Sequence, residues 1–290
     1  MFKSLEQICK IEKESGVPFW KIVQQDDCKE RDMDEAKSFE NMKNMYYAMK
    51  DSALKYDKTI KSNSGLVGGE AGLFREYLDG GKALVGDYTG RVMELALRVA
   101  ESNACMKRIV AAPTAGACGV LPAVLMPLYR NDQAEEADIL ESLFVAAGIG
   151  QVIANRASIS GAEGGCQAEI GSASAMAAGS LVFLRNGTAE QVCHAVGYAL
   201  QNLLGLVCDP VGGLVEVPCI KRNVIGAVNA LTAADMALSG IIPVIPADEV
   251  IDAMRSVGRK MDDSLRETGR GGLAACPSAL RLCHALQDMP

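Results

Sequence analysis

Imidazoles and aromatic rings are scarce in this chain. Two histidines and one tryptophan occur in 290 residues, and Phe, Trp and Tyr together make up 5%. Neither histidine is an obvious general base, since His194 falls inside a helical pattern beside Cys193 and His284 lies in the tail. With so few rings and abundant Gly, Ala and Met, the core must pack through small side chains at close approach. No C-x-x-C pair occurs among the ten cysteines, which removes the zinc-ribbon and ferredoxin patterns. Positive charge is not in excess: the formal net charge is −7, so there is no electrostatic footprint for nucleic acid or an anionic membrane.

Uninterrupted apolar runs are missing too. The start, Met-Phe-Lys-Ser-Leu-Glu-Gln-Ile-Cys-Lys, alternates charges with apolar residues and does not read as a signal peptide. The most hydrophobic stretches, Val192–Val207 and Val224–Ile245, are broken by His194, Gln201, Asn202, Asn229 and Asp235, so buried helices explain them better than membrane spans. Without an export signal the cysteines are expected in the reducing cytoplasm, as structural, reactive or metal-bound thiols.

What is present is a globular composition, 49% apolar and 22% charged, long enough for one large domain or two unequal ones. Residues 4–58 are charge-rich with helical spacing at Met42, Met45, Tyr46 and Met49, and Ser4 with Gln7 forms a candidate capping box; an amphipathic outer helix pair is expected. From Ser62-Asn-Ser-Gly-Leu-Val-Gly-Gly69 onward Gly and Ala dominate. Helices are expected at about 89–105, 120–130, 135–155, 172–184, 221–239 and 246–263, with another opened by Thr188 and Gln191 that ends just before Cys208. Alternating β-branched runs are rare, and Val215–Val217 and Ile241–Ile245 are the only strand candidates. The fold class is therefore all-α, a helical domain whose glycine-rich loops form the functional surface.

Three of the cysteines stand apart. Cys166 follows Gly164-Gly165, Cys208 follows a helix end, and Cys219 follows Pro218, whereas Cys9, Cys105 and Cys193 sit within helical periods. Thiolates on segments free of bulky neighbours can converge on a soft metal centre, although spacing alone does not decide it. Cys118, in Pro113-Thr-Ala-Gly-Ala-Cys118, is placed near such a site but not in it.

The segments Ser160-Gly-Ala-Glu-Gly-Gly-Cys-Gln-Ala-Glu169, Cys208-Asp-Pro-Val-Gly-Gly-Leu-Val-Glu-Val-Pro-Cys-Ile-Lys-Arg-Asn223 and Ala111-Ala-Pro-Thr-Ala-Gly-Ala-Cys-Gly119 together resemble the iron–sulfur-dependent L-serine dehydratases. The resemblance is to their α, or catalytic, domain and runs from about Lys61 to Pro277. It implies an all-helical catalytic domain over 61–290, with the charged helices of 1–60 packed on it. It implies a [4Fe-4S] cluster held by Cys166, Cys208 and Cys219, with one iron left open as a Lewis acid for the departing hydroxyl of L-serine. In that family the α domain works with a β regulatory domain, fused or separate; 290 residues leave no room for it, so a separate β chain is expected. A cysteine at the extreme C-terminus caps the cluster in some members. The tail here, Leu286-Gln-Asp-Met-Pro290, has none, and Cys276 or Cys283 would have to substitute.

The proton acceptor is not identifiable from the residues. Glu163, Glu169 and Lys221 are loop-adjacent candidates, with a partner chain as a further source. Ser64, Gly65, Thr114 and Gly116 are candidates for substrate binding, because both segments offer hydroxyls and backbone N–H groups before an expected helix start. Arg222 and Asn223 are candidates for orienting the cysteine segment. A pyridoxal-phosphate lyase is excluded, as Lys58-Thr-Ile-Lys61 lacks the Schiff-base context. A cluster-dependent cysteine desulfidase and a non-catalytic cluster-carrying subunit stay open.

Overall fold

A computed structural model describes residues 2–131 and 133–287. Among the described residues there are thirteen α-helices and no strand, in keeping with the all-α expectation. Helices α1 (Leu5–Ser15), α2 (Phe19–Arg31) and α3 (Glu35–Leu54) fill the charge-rich N-terminal region. That is one helix more than the expected pair. Gly16, in the left-handed region at φ 71°, ends α1, and Pro18 cannot extend it, so the chain restarts at Phe19. Ser4 does cap α1, its Oγ accepting the Gln7 N–H at 3.0 Å. The reciprocal Gln7 oxygen, however, accepts from Lys3 N–H at 3.0 Å and not from the cap residue itself. These helices are not purely peripheral: Leu5, Ile8, Phe19 and Tyr46 are buried in the main core.

Beyond them come α4 (Glu70–Asp79), α5 (Asp87–Ala104), α6 (Val120–Arg130), α7 (Glu136–Arg156) and α8, a single turn at Gly161–Gly164. A π-helical turn, Gln167–Gly171, runs directly into α9 (Ser172–Leu184). The order closes with α10 (Ala189–Gln201), α11 (Cys219–Leu238), α12 (Ala247–Lys260) and α13 (Pro277–Gln287). Thr188 and Gln191 cap α10 reciprocally, as its sequence announces. That helix ends at Gln201, earlier than expected, and turns carry the chain on toward Cys208.

The centre of the molecule is α9. Its sequence, Ser-Ala-Ser-Ala-Met-Ala-Ala-Gly-Ser, has no polar face, and every residue from Ser172 to Val182 is buried among α6, α7, α10 and α11. Small side chains let its neighbours approach. A methyl group at Gly179 would press on Ile149 Cδ1 of α7 and Val192 Cγ1 of α10, so the glycine lets those side chains sit directly against α9. Helix α7 is long and apolar enough to cross a membrane, but it lies within this core, with Ile139, Val145, Ile149 and Ile153 fully buried.

Neither strand candidate forms a strand. Val215–Val217 is bent, and Ile241–Ile245 is an exposed connection from α11 to α12. Pro218, Pro243 and Pro246 remove backbone donors there, and the one isolated bridge joins Cys208 to Arg266 instead.

Candidate functional site

The three singled-out cysteines come from different elements and meet in the interior. Cys166 joins α8 to the π turn, and Cys219 is the first residue of α11. Cys208 is pinned in extended backbone: its N–H donates to Leu265 O at 2.8 Å, and its carbonyl accepts from Glu267 N at 2.7 Å. All three are buried. Burial pushes the Cys166 and Cys219 thiols up to about 12 and that of Cys208 higher still, and Cys166 and Cys219 both act on Cys208 from nearby. Unligated, they are neutral thiols at pH 7.

Buried polar side chains flanking each cysteine hold the trio together. After Cys166, Gln167 accepts from Gly205 N–H at 2.9 Å and donates to Met254 O at 3.0 Å, clamping α8 to the stretch before Cys208 and to α12. After Cys208, Asp209 pairs with Arg222 at 2.8 Å and accepts from Leu273 N–H at 2.7 Å. Arg222, one turn into α11, also donates to Val207 O at 2.7 Å and faces the Cys166 thiol. It therefore touches the segments of all three cysteines. Asn223 uses its whole amide: Nδ2 donates to Gly116 O at 2.7 Å and Cys219 O at 3.0 Å, while Oδ1 accepts from Gly119 N–H at 2.8 Å. It fastens residues 116–119 to α11. Buried Glu216, within the Cys208–Cys219 segment, accepts from Ser64 Oγ at 2.5 Å and Ser62 Oγ at 3.2 Å. Buried Glu101 accepts from Tyr56 Oη at 2.5 Å and Glu70 N–H at 2.8 Å, fixing the far end of that serine loop.

Glu169 stands inside this arrangement, on the π turn. Its carboxylate acts on Cys208 and Cys219, and burial raises its own affinity for a proton, an effect moderated by the adjacent Thr114 hydroxyl. Thr114 Oγ1 is buried against this carboxylate and has no other partner among the described residues. A methyl group at Gly161 would meet both Cys208 Sγ and Glu169 Oε2 at 2.9 Å, and one at Gly116 would meet Glu169 Oε1 at 3.3 Å. Backbone thus approaches closely at Gly161 and Gly116, where no side chain would fit between the chain and Cys208 or Glu169.

Of the substrate-binding candidates, Thr114 and Gly116 lie at Glu169, and Ser64 reaches the cysteine segment through Glu216. Gly65 is a turn residue at φ 73° with open space around it. Glu163 is exposed in a shallow depression shared with Arg255 and Arg259. Lys221 is exposed and ion-paired with Glu70. Cys118 is buried against Val99 O, behind the Thr114 segment. Cys276 is exposed beside Gly272 O, and Cys283 Sγ lies 3.5 Å from the Cβ position of Gly212, in the loop between Cys208 and Cys219. The last residues, 288–290, lie outside the described ones. Sequence reading missed Gln167, Asp209 and Glu216; their signal was a polar residue beside or near each cysteine, in a stretch too apolar to solvate it.

The donor set suits a cluster better than an ion. Among the described residues no three His, Cys, Asp or Glu side chains come close enough to hold a single metal ion. Soft sulfur donors, a backbone wall at Gly161 and the polar clamps that fix each segment all fit a cluster. A separate cavity of about 410 Å³ between α2, α3 and α7 reaches Pro113 and Ile159, with no cysteine in its walls.

Comparison with known proteins shows which family the chain is similar to. The family model of the serine dehydratase alpha chain matches residues 14–274. The probable L-serine dehydratase, alpha chain, of Bacillus subtilis is 43% identical over 282 residues, covering 97% of this chain and 94% of that one. The L-serine dehydratase, alpha chain, of Peptoniphilus asaccharolyticus is 40% identical over 283 residues, 97% of each. L-serine dehydratase 1 of Escherichia coli is 49% identical over 181 residues, which are 62% of this chain and 40% of that longer protein. The chain belongs to the serine dehydratase alpha chain family.

Proposed function

We propose that this chain is the cluster-bearing α chain of a cytoplasmic L-serine dehydratase, a carbon–nitrogen lyase that converts L-serine to pyruvate and ammonia. Cys166, Cys208 and Cys219 would hold a [4Fe-4S] cluster. The observation that carries this reading is that three buried thiols from separate elements lie near enough for Cys166 and Cys219 both to act on Cys208, with glycine backbone at Gly161 leaving room beside Cys208. The bound cluster supplies a Lewis-acidic iron without a protein thiolate, which eases loss of the substrate hydroxyl. All ten cysteines are free thiols, which suits a reducing compartment.

The chain's own residues do the rest. Arg222 and Asn223 keep the thiol-bearing segments in place, so the ligands need little rearrangement on loading. Thr114 Oγ1, buried beside the Glu169 carboxylate, is placed to orient that carboxylate or to meet a polar group of the substrate. Glu169, kept receptive to a proton by burial, is the carboxylate that the fold brings to the thiols, and it would take the proton from Cα. Glu163 and Lys221 are less favoured because one is exposed and the other is paired at the surface. The Ser62–Ser64 loop, tied through Glu216, would close the substrate side. Loss of water yields aminoacrylate, which tautomerises and hydrolyses without further catalysis.

A separate β chain would complete the enzyme. The two relatives matched over nearly their whole length are named alpha chains, while the Escherichia coli protein carries additional sequence. The test is anaerobic purification with and without the co-expressed β chain, followed by visible and EPR spectra before and after L-serine and by a pyruvate assay. A cluster signal that shifts with L-serine, together with pyruvate formation, is expected. A cluster that ignores serine would point to a carrier subunit, and turnover of L-cysteine alone would point to a desulfidase.

A further inference from the structure

Another two thiols, on elements that carry none of the three site cysteines, lie against each other. Cys9 on α1 and Cys193 on α10 are 184 positions apart, yet their Sγ atoms are 3.1 Å apart. Bonded sulfurs sit at about 2.05 Å, so about 1 Å of side-chain movement separates contact from a bond. Cys9 Sγ also lies 3.5 Å from Ala189 O, the first residue of α10. With the Cys9 proton directed at that carbonyl, Cys193 is the donor within the pair. Both residues are partly exposed; the Cys9 contact and burial hold the Cys193 thiol well above its ordinary value, so Cys9 is the thiol that meets a small reagent first and Cys193 the one that resolves the mixed disulfide. Neither is used by the dehydratase site, and the remaining thiols show no comparable pairing outside that site.

The surroundings give such a bond a mechanical meaning. Helix α1 is otherwise held to the body by Leu5 and Ile8 in the core, by Ile11 packed against it, and by Asp248 of α12, which accepts from Leu5 N–H at 3.0 Å and Glu6 N–H at 3.1 Å. The fully buried contacts end at Ile8. Cys9 is the next residue along, on the side of α1 that meets α10.

We propose that Cys9 and Cys193 form a redox-active thiol pair which closes to a disulfide on exposure to a low-molecular-weight disulfide, strapping α1 to α10. One protein thiolate attacks the small disulfide, giving a mixed disulfide and releasing one small thiol. The second protein thiolate attacks the protein sulfur of that mixed disulfide and releases the other small thiol. Two protein thiols are oxidised, one small disulfide is reduced to two thiols, and the protons are conserved. Reduced thiols restore the open pair.

The test uses the full-length, cluster-loaded chain under anaerobic conditions. It is treated with oxidised glutathione, alkylated, and digested with trypsin and chymotrypsin; cleavage after Tyr198 separates Cys193 from Cys208. The expected result is a linked pair of peptides spanning Ser4–Lys10 and Asn186–Tyr198, abolished by dithiothreitol. The melting temperature should also rise on the order of 5 °C, because the closed loop is long. Cys9→Ser and Cys193→Ser, treated identically, should show neither. Glutathione retained on Cys9 or Cys193 without closure would overturn the proposal. So would a linked pair whose formation leaves the melting temperature unchanged.

Discussion

Asn223 is the sharpest place to test how the site is held. Its amide makes three hydrogen bonds, to Gly116 O, Cys219 O and Gly119 N–H, and the residue is buried. Asn223→Ala removes all three and leaves a small cavity. At about 1 kcal/mol net per hydrogen bond, the loss is about 3 kcal/mol, or roughly 5 °C in melting temperature for a chain of this size. Asn223→Asp is the decisive partner. A carboxylate can still accept from Gly119 N–H, but it sets a negative oxygen against two carbonyls that need a donor. The aspartate variant should therefore melt no higher than the alanine variant, although it is closer in shape. Because the amide fastens residues 116–119 to α11, both variants should also load less iron. The assays are thermal unfolding by circular dichroism and iron and sulfide quantification after anaerobic reconstitution. An aspartate variant that melts well above the alanine variant, or full iron content in both, would refute the donor role.

Gly161→Ala should impair loading more than folding. Its methyl group would stand 2.9 Å from Cys208 Sγ and Glu169 Oε2, so overpacking of about 1–3 kcal/mol falls on the site itself; iron content should drop while the helical circular dichroism spectrum is kept, and normal iron content would count against the backbone wall. Stability of the cluster-free chain should fall at alkaline pH. Burial raises Cys166 and Cys219 from the ordinary 9.0 to about 12, so the folded state holds protons that the unfolded state releases; the contribution is complete below about 9 and is lost as pH rises toward 12. Comparing the cluster-free chain with a Cys166→Ala, Cys208→Ala, Cys219→Ala triple variant isolates the thiols from tyrosine and lysine, and equal alkaline slopes in the two would contradict the assignment. For the same reason, loading must release protons, and reconstitution should proceed more readily at pH 8.5 than at pH 7; iron uptake at the two values measures it.

Much of this was legible before any coordinates, for reasons that differ from element to element. Helices α5, α6, α7, α9, α11 and α12 fall close to the expected ranges because breakers and caps flank a strong apolar pattern. Helices α4 and α13 escaped notice because they are short and begin beside glycine or proline in stretches that read as loop. The Ile241–Ile245 run was misread because β-branched residues signal a strand only when a neighbouring strand exists to pair with, and its prolines forbid even that. The three cysteines stood out by the breakers before them, but Gln167, Asp209 and Glu216 did not, since a polar residue in a loop normally means solvent. Only the fold reveals that these are buried and that each holds two segments together.

The π turn at Gln167–Gly171 has a consequence for how this chain can vary in length. On one side of it, Gln167 is locked to Gly205 and Met254, which fixes the direction of Cys166. On the other, α9 is buried on every side and has a single seating. A helix advances about 100° per residue, so two such fixed ends have independent phases that an ordinary α-turn would not match. The wider turn takes up the difference, acting as the angular shim between Cys166 and the central axle of the fold. Deleting one residue there would restore regular α-helical winding with both ends kept in phase, whereas one further residue would swing either Cys166 or the whole of α9 by about 100°, more than a quarter of a turn.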